Sequence, residues 1–157
     1  MNKENEMAGT ASALHLLHRA GQCADELFAV SIGDSDLTPR QYAVLRAVDM
    51  NEEPSQTTLV EKTGIDRSTL ADIVRRLVEK GLLHRKRTRR DARMYAVRLT
   101  EKGQAALRKA EPVARSTDER LLSAIPQRER EVFLEALSKI VQMIGAEGAK
   151  RIVEGPK

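Results

Sequence analysis

The chain has 157 residues, 41% of them hydrophobic and only 3% aromatic, so it is long enough for one compact domain with a core of Leu, Ile, Val and Ala. No run approaches the ~18 apolar residues of a membrane span, the first ten residues lack the apolar centre of a secretory signal, and the lone Cys23 allows no internal disulfide; the expectation is a cytoplasmic protein. The charge of +4 is uneven: residues 1–54 hold 4 basic and 9 acidic side chains, residues 55–100 hold 12 and 5, and residues 101–157 hold 11 and 9. The middle segment, at 12 − 5 = +7, is the part suited to a polyanion.

Residues 11–31 predict a helix with two adjacent apolar stripes, Leu14, Leu17, Gly21, Ala24, Phe28 and Ala13, Leu16, Ala20, Cys23, Leu27, Val30. Two such stripes predict a wide buried face. At "TPRQ" (38–41), Thr38 can cap a second helix, Pro39 fits its first position and Gln41 can close a capping box. "NEEP" at 51–54 ends that helix, and a short helix follows to about Thr63. Gly64 is then a turn, and Asp66 caps a helix over about 67–80. Its apolar positions Leu70, Ile73, Val74, Leu77 and Val78 repeat at i, i+3, i+4, i+7 and i+8, and Gly81 closes it.

Residues 82–87 and 94–99 alternate as two strands, with Met94, Ala96 and Arg98 on one face and Tyr95, Val97 and Leu99 on the other. The run "HRKRTRRDAR" (84–93) contains five arginines and lies mostly between them, so it is a hairpin tip rather than a tail. Thr100 caps a long helix in which Pro112 is a candidate kink. "IPQRE" (125–129) starts a last helix to about Ile144 carrying a Phe133, Leu137, Ile140, Ile144 stripe, and residues 146–157 read as a flexible tail.

A helix–turn–helix followed by a basic hairpin is a winged helix-turn-helix. The segment "GIDRSTLADIVRRLVEKGLLHRKRTRRDARMYAVRLTEKG" (64–103) resembles the multiple-antibiotic-resistance regulator (MarR) family. "DAR" (91–93) and "LTEKG" (99–103) match that family's wing and post-wing signature, and "LTPRQYAVL" (37–45) resembles its second helix. The likeness in layout covers about residues 10–145. It implies a mainly α fold with a small β-hairpin: a DNA-binding lobe over 37–100, and dimerisation helices over 10–36 and 101–145. It further implies a homodimeric repressor of double-stranded operator DNA, released by a small effector, typically a phenolic or carboxylate compound.

Placing the apolar stripe of helix 67–80 inward leaves Ser68, Asp72, Arg75 and Glu79 outward, and only the start of such a helix enters a major groove. Ser68, Asp72 and the neighbouring Thr69 are therefore candidates for base edges, with first-turn capping the alternative for Ser68 and Thr69. Asp72 either accepts from a cytosine amino group or braces Arg75 or Arg76. Arg67, Arg75 and Arg76 are candidate phosphate clamps, and Ser55 and Gln56 join the candidate DNA-binding set. Arg89 and Arg90 sit at the predicted wing tip, placed for a narrow minor groove. Asp91 is placed to orient Arg93. Arg85 and Arg87, with Lys86 between them, run up the strand toward the DNA backbone, with Lys86 read as solvated.

The effector pocket implied by the resemblance lies between the first two helices and the helix after the wing. His15, His18, Arg19, Arg40 and Tyr42 are its candidate lining here, and their cationic character suits an aromatic acid or its coenzyme A thioester. The i, i+3 spacing of His15 and His18 could serve a metal, but no further ligand stands at close helical spacing, so no metal or cofactor is expected. Cys23, on an apolar stripe, is expected to be buried core rather than a redox sensor. No nucleophile elbow, phosphate-binding glycine loop or metalloprotease motif appears, so no enzyme is expected. The competing reading is a winged-helix module for RNA or protein contact. An amphipathic recognition helix suits the major groove of B-DNA better than that of A-form RNA.

Overall fold

The computed structural model describes residues 12–35, 37–88 and 95–154, with side chains described as far as Gly145. Its elements are α1 (Ala13–Ile32), α2 (Pro39–Asp49), α3 (Gln56–Thr63), α4 (Arg67–Glu79), β1 (Leu83–Arg87), β2 (Tyr95–Leu99), α5 (Glu101–Ser123) and α6 (Gln127–Glu154). The fold class is the expected one, mainly α with one antiparallel hairpin. The chain divides into two compact units, with the boundary between Thr117 and Asp118.

In the first unit, local signals place the helix ends. The Thr38 hydroxyl accepts from the Gln41 amide at 3.2 Å while the Gln41 side chain accepts from the Thr38 amide at 3.1 Å, so the capping box is formed. Gly64 ends α3 with φ 68°, a conformation that costs a side chain strain and glycine none. The core then assembles from Val44, Leu45 and Val48 of α2, Leu59 of α3, Leu70, Ile73, Val74 and Leu77 of α4, Leu83 and Val97 of the hairpin, and Leu107 and Ala110 of α5. The i, i+3, i+4, i+7 stripe of α4 is thus the inner wall of the lobe.

The hairpin departs from simple alternation, because Ala96 and Val97 are both buried. β2 is flanked on two sides. It pairs with β1 in the register Leu83 with Leu99 through Arg87 with Tyr95, and it also bridges Ser55 through Ala96, with the Val97 amide donating to the Pro54 carbonyl at 3.0 Å. The segment before α3 therefore covers Ala96, which the alternation would leave on the outer face.

Two further expectations, a buried Cys23 and a last helix that stops near Ile144, are corrected. Along the two apolar stripes of α1 only Phe28 is buried, joined by Ile32 beyond them near the C-terminal end, while Leu14, Leu16, Leu17 and Val30 are exposed in the single chain, as helices assigned to a dimer interface would leave them. Cys23, expected in the core, is exposed as well, because only that end of α1 meets the lobe. In the second unit, the last helix runs to Glu154, past the expected stop near Ile144 and through the expected tail. A helical glycine costs only about 1 kcal/mol, and "AEGAKRIVE" is rich in good helix formers. Pro112 likewise sits inside α5 without ending it.

Gly103, on the first turn of α5, packs so closely on Leu82 that a Cβ would overlap its carbonyl oxygen. Leu82 accepts there from the Thr100 amide at 3.1 Å and cannot withdraw freely. Gly103→Ala should destabilise the lobe by roughly 1–3 kcal/mol, read as a lower urea midpoint at unchanged slope.

Candidate nucleic-acid interface

The recognition element is α3, the Gly64 turn and α4. The turn is closed by Thr63, whose hydroxyl donates to the Leu59 carbonyl at 2.7 Å and accepts from the Ile65 amide at 3.3 Å. Asp66 caps α4. One of its carboxylate oxygens accepts from the Thr69 amide at 2.9 Å and from the Ser68 hydroxyl at 2.8 Å. Hydrogen bonds from the Thr69 side chain first, then its amide, then the Ser68 hydroxyl lower the Asp66 pKa to about 2. A carboxyl with a depressed folded-state pKa adds stability that is complete above its ordinary value near 3.8 and is lost as pH falls toward 2. Asp66→Ala should therefore destabilise the protein at neutral pH and narrow the difference from the parent between about pH 4 and pH 2, measured by denaturant unfolding at stepped pH.

One turn further, Asp72 takes both neighbouring arginines. Its two oxygens meet Arg75 at 2.6 Å and Arg76 at 2.8 Å, and Arg75 also meets Glu79 at 2.6 Å. The hydrogen bond from Arg75, aided by the charge of Arg76, lowers the Asp72 pKa, and Asp72 and Glu79 together raise that of Arg75. All four side chains are solvent-exposed, so this lattice fixes where the guanidinium groups point more than it stabilises the fold.

Beside α4 lies a cleft of about 630 Å³ lined by Ser55, Gln56, Thr57, Arg67, Arg85, Tyr95 and Val97. Ser55 is the N-cap of α3, accepting from the Thr58 amide at 3.1 Å, and Gln56 is its first residue. Arg67 reaches back from α4 to donate to the Thr57 hydroxyl at 3.3 Å. Arg85 enters from β1, and the Arg87 guanidinium lies 6.0 Å above the Tyr95 ring, its cross-strand partner. The hairpin is held in place from below. Arg98 pairs with Glu53, a non-glycine residue at φ 47°, and the Thr100 hydroxyl donates to the Gly81 carbonyl at 2.6 Å. The start of a helix, two arginines and three hydroxyls converging on one concavity suit a phosphate oxygen. Thr57 and Tyr95 carry no sequence signal beyond position, beside Gln56 and opposite Arg87.

Arg89, Arg90, Asp91 and Arg93 lie outside the described residues. Of the expected effector residues, His15, His18 and Arg40 are exposed, and Arg19 is exposed and donates to Gln22 at 2.8 Å. Tyr42 is half-buried, its ring 5.6 Å from that of Phe28, and its hydroxyl accepts from Arg46 at 3.2 Å. Tyr42 therefore packs between α1 and α2. The described residues contain no cluster of three or more His, Cys, Asp or Glu side chains able to hold a metal ion, and no helix among them is long and apolar enough to cross a membrane.

An exposed, arginine-bearing second helix beside an anchored basic hairpin defines a winged helix-turn-helix transcriptional regulator. The chain belongs to the MarR family, whose profile matches residues 35–94. It is 34% identical to the transcriptional regulator HosA of Escherichia coli over 106 residues, covering 68% of this chain and 78% of that protein. Among solved structures, Bordetella bronchiseptica BpsR, whose DNA binding is regulated by 6-hydroxynicotinic acid, superposes with a TM-score of 0.79 at 30% identity, over 83% of this chain and 94% of that one. The repressor CouR bound to a 23-mer DNA duplex superposes with a TM-score of 0.78 at 28% identity, over 90% and 99%, and CouR bound to p-coumaroyl-CoA with 0.76 at 27%, over 84% and 93%.

Proposed function

We propose that the protein is a homodimeric repressor that binds an inverted-repeat operator and is released by a small aromatic anion. The observation that carries the DNA-binding part is the convergence of Arg67, Arg85 and the start of α3 on one cleft beside α4. α4 lies in a major groove, the cleft seats a backbone phosphate, and Arg89 and Arg90 reach the adjacent minor groove, with Asp91 orienting Arg93. Asp72 braces Arg75 and Arg76, in keeping with its two ion pairs. Footprinting on the DNA upstream of the chain's own coding region tests the reading; protection of an inverted repeat is expected, and none at any salt concentration would overturn it.

The effector reading is supported by the compounds named for BpsR and CouR and by the cationic character of His15, His18, Arg19 and Arg40, the residues the sequence offers for the pocket. To act, the effector must bind the DNA-incompetent state better, and a tenfold loss of DNA affinity needs only about 1.4 kcal/mol of coupling. Phenolic acids and their coenzyme A thioesters should release operator DNA in a fluorescence assay, with the response weakened in Arg19→Ala and Arg40→Ala. Release by neutral aromatics alone, unaffected by either substitution, would refute the anionic effector. The exposure of Cys23 favours one second reading, a thiol signal in place of a ligand. In that case peroxide would release the parent protein from DNA and leave Cys23→Ser bound.

A further inference from the structure

We propose that Ser68 reads the operator as a hydrogen-bond acceptor only, because Asp66 holds its one proton, and that it therefore selects adenine or cytosine over guanine or thymine at the base it faces. The inference deepens the DNA-binding reading above and rests on it. Ser68 is exposed on the first turn of α4, the part of such a helix that meets base edges. Its hydroxyl donates to the Asp66 carboxylate at 2.8 Å. That carboxylate is ionised at neutral pH and can only accept, so the direction of the bond is fixed. What Ser68 turns outward is a pair of lone pairs. The same carboxylate is pinned by the Thr69 amide at 2.9 Å, so it cannot swing away without uncapping the helix.

This polarity decides what Ser68 can touch. Phosphate oxygens are acceptors, so a serine without a free proton gains nothing from the DNA backbone. In the major groove the donors are the adenine N6 and cytosine N4 amino groups, while guanine offers O6 and N7 and thymine offers O4, all acceptors. A free serine hydroxyl would tolerate either kind. Asp66 thus acts as a positioning residue that converts a permissive contact into a selective one.

The test is selection from duplexes randomised across the inverted repeat, using the full chain. The parent should enrich A or C at one position per half-site. Ser68→Ala, at an exposed site where folding is not at stake, should lower that preference roughly three- to tenfold, the worth of one neutral hydrogen bond, and leave other positions alone. Asp66→Gly keeps a residue tolerated at N-caps but removes the acceptor, so it should admit G and T at that same position. Enrichment of G or T at the Ser68-dependent position in the parent would overturn the proposal. So would an unchanged profile in Ser68→Ala, or an A-or-C restriction retained by Asp66→Gly with parental helical circular dichroism. A parent that enriches no inverted repeat would instead overturn the DNA-binding reading on which the proposal stands.

Discussion

Arg67→Ala combined with Arg85→Ala should weaken operator binding on the order of a hundredfold at physiological salt and lower the slope of log affinity against log salt by about one unit, the worth of the single phosphate they share. The two guanidinium groups come from different elements, α4 and β1, and meet in the cleft at the start of α3. A phosphate seated there would bond to both arginines and lie against the first amides of α3, where the partial positive charge of the helix is concentrated. Each lost phosphate contact returns close to one counterion to the DNA, and this fixes the change in slope. If the cleft seats a backbone phosphate as proposed, the loss should be uniform across operators of different sequence. Binding titrations at four salt concentrations on two operators read both features. A parental slope in the double variant would mean that the cleft stays in solvent in the complex.

The lobe was legible in the sequence because its signals are local. Thr38 and Gln41 form the capping box that their spacing predicts, Gly64 takes the left-handed turn, and the α4 stripe faces the core. Non-local consequences were not legible. The alternation of β2 places Ala96 outside, and only the return of Pro54 and Ser55 against β2 buries it. Tyr95 lines the cleft because the hairpin register sets it across from Arg87, and Arg67 reaches Thr57 across the turn, ten residues back in the chain. Periodicity also says that a face is apolar, not what covers it. That is why Cys23, on an α1 stripe, reads as core from sequence although the single chain leaves it exposed. Side-chain polarity sits at the same limit. The sequence offers Ser68 as a cap or as a base contact, and only the bond to Asp66 gives it a direction.

The uncovered faces lead to the second large effect. Ile140→Glu with Ile144→Glu should turn the protein into a folded monomer that binds the operator roughly a hundredfold to ten-thousandfold more weakly, since two linked half-site contacts become one. Within α6 these residues belong to the stripe of Phe133, Leu137, Ile140 and Ile144, and Val132, Leu134, Val141 and Met143 are exposed on the same helix. Val141 is 70% exposed and Ile144 62%, values that suit an interface rather than a core. In the other unit, α1 separately exposes Leu14, Leu16, Leu17 and Val30, the last at 83%. Contiguous apolar surface on helices of this length is costly in water and is expected to be removed by a second copy of the chain. Both substituted side chains are exposed in the single chain, so the core of the lobe does not depend on them and its circular dichroism should persist. Sedimentation equilibrium at micromolar concentration should give twice the 17.5 kDa chain mass for the parent and the chain mass itself for the variant. The variant should also lose its requirement for half-sites about 10 base pairs apart, because one lobe has no partner whose spacing must match. A parent that sediments as a monomer would refute the homodimer. A variant that remains dimeric with full operator affinity would move the interface off α6.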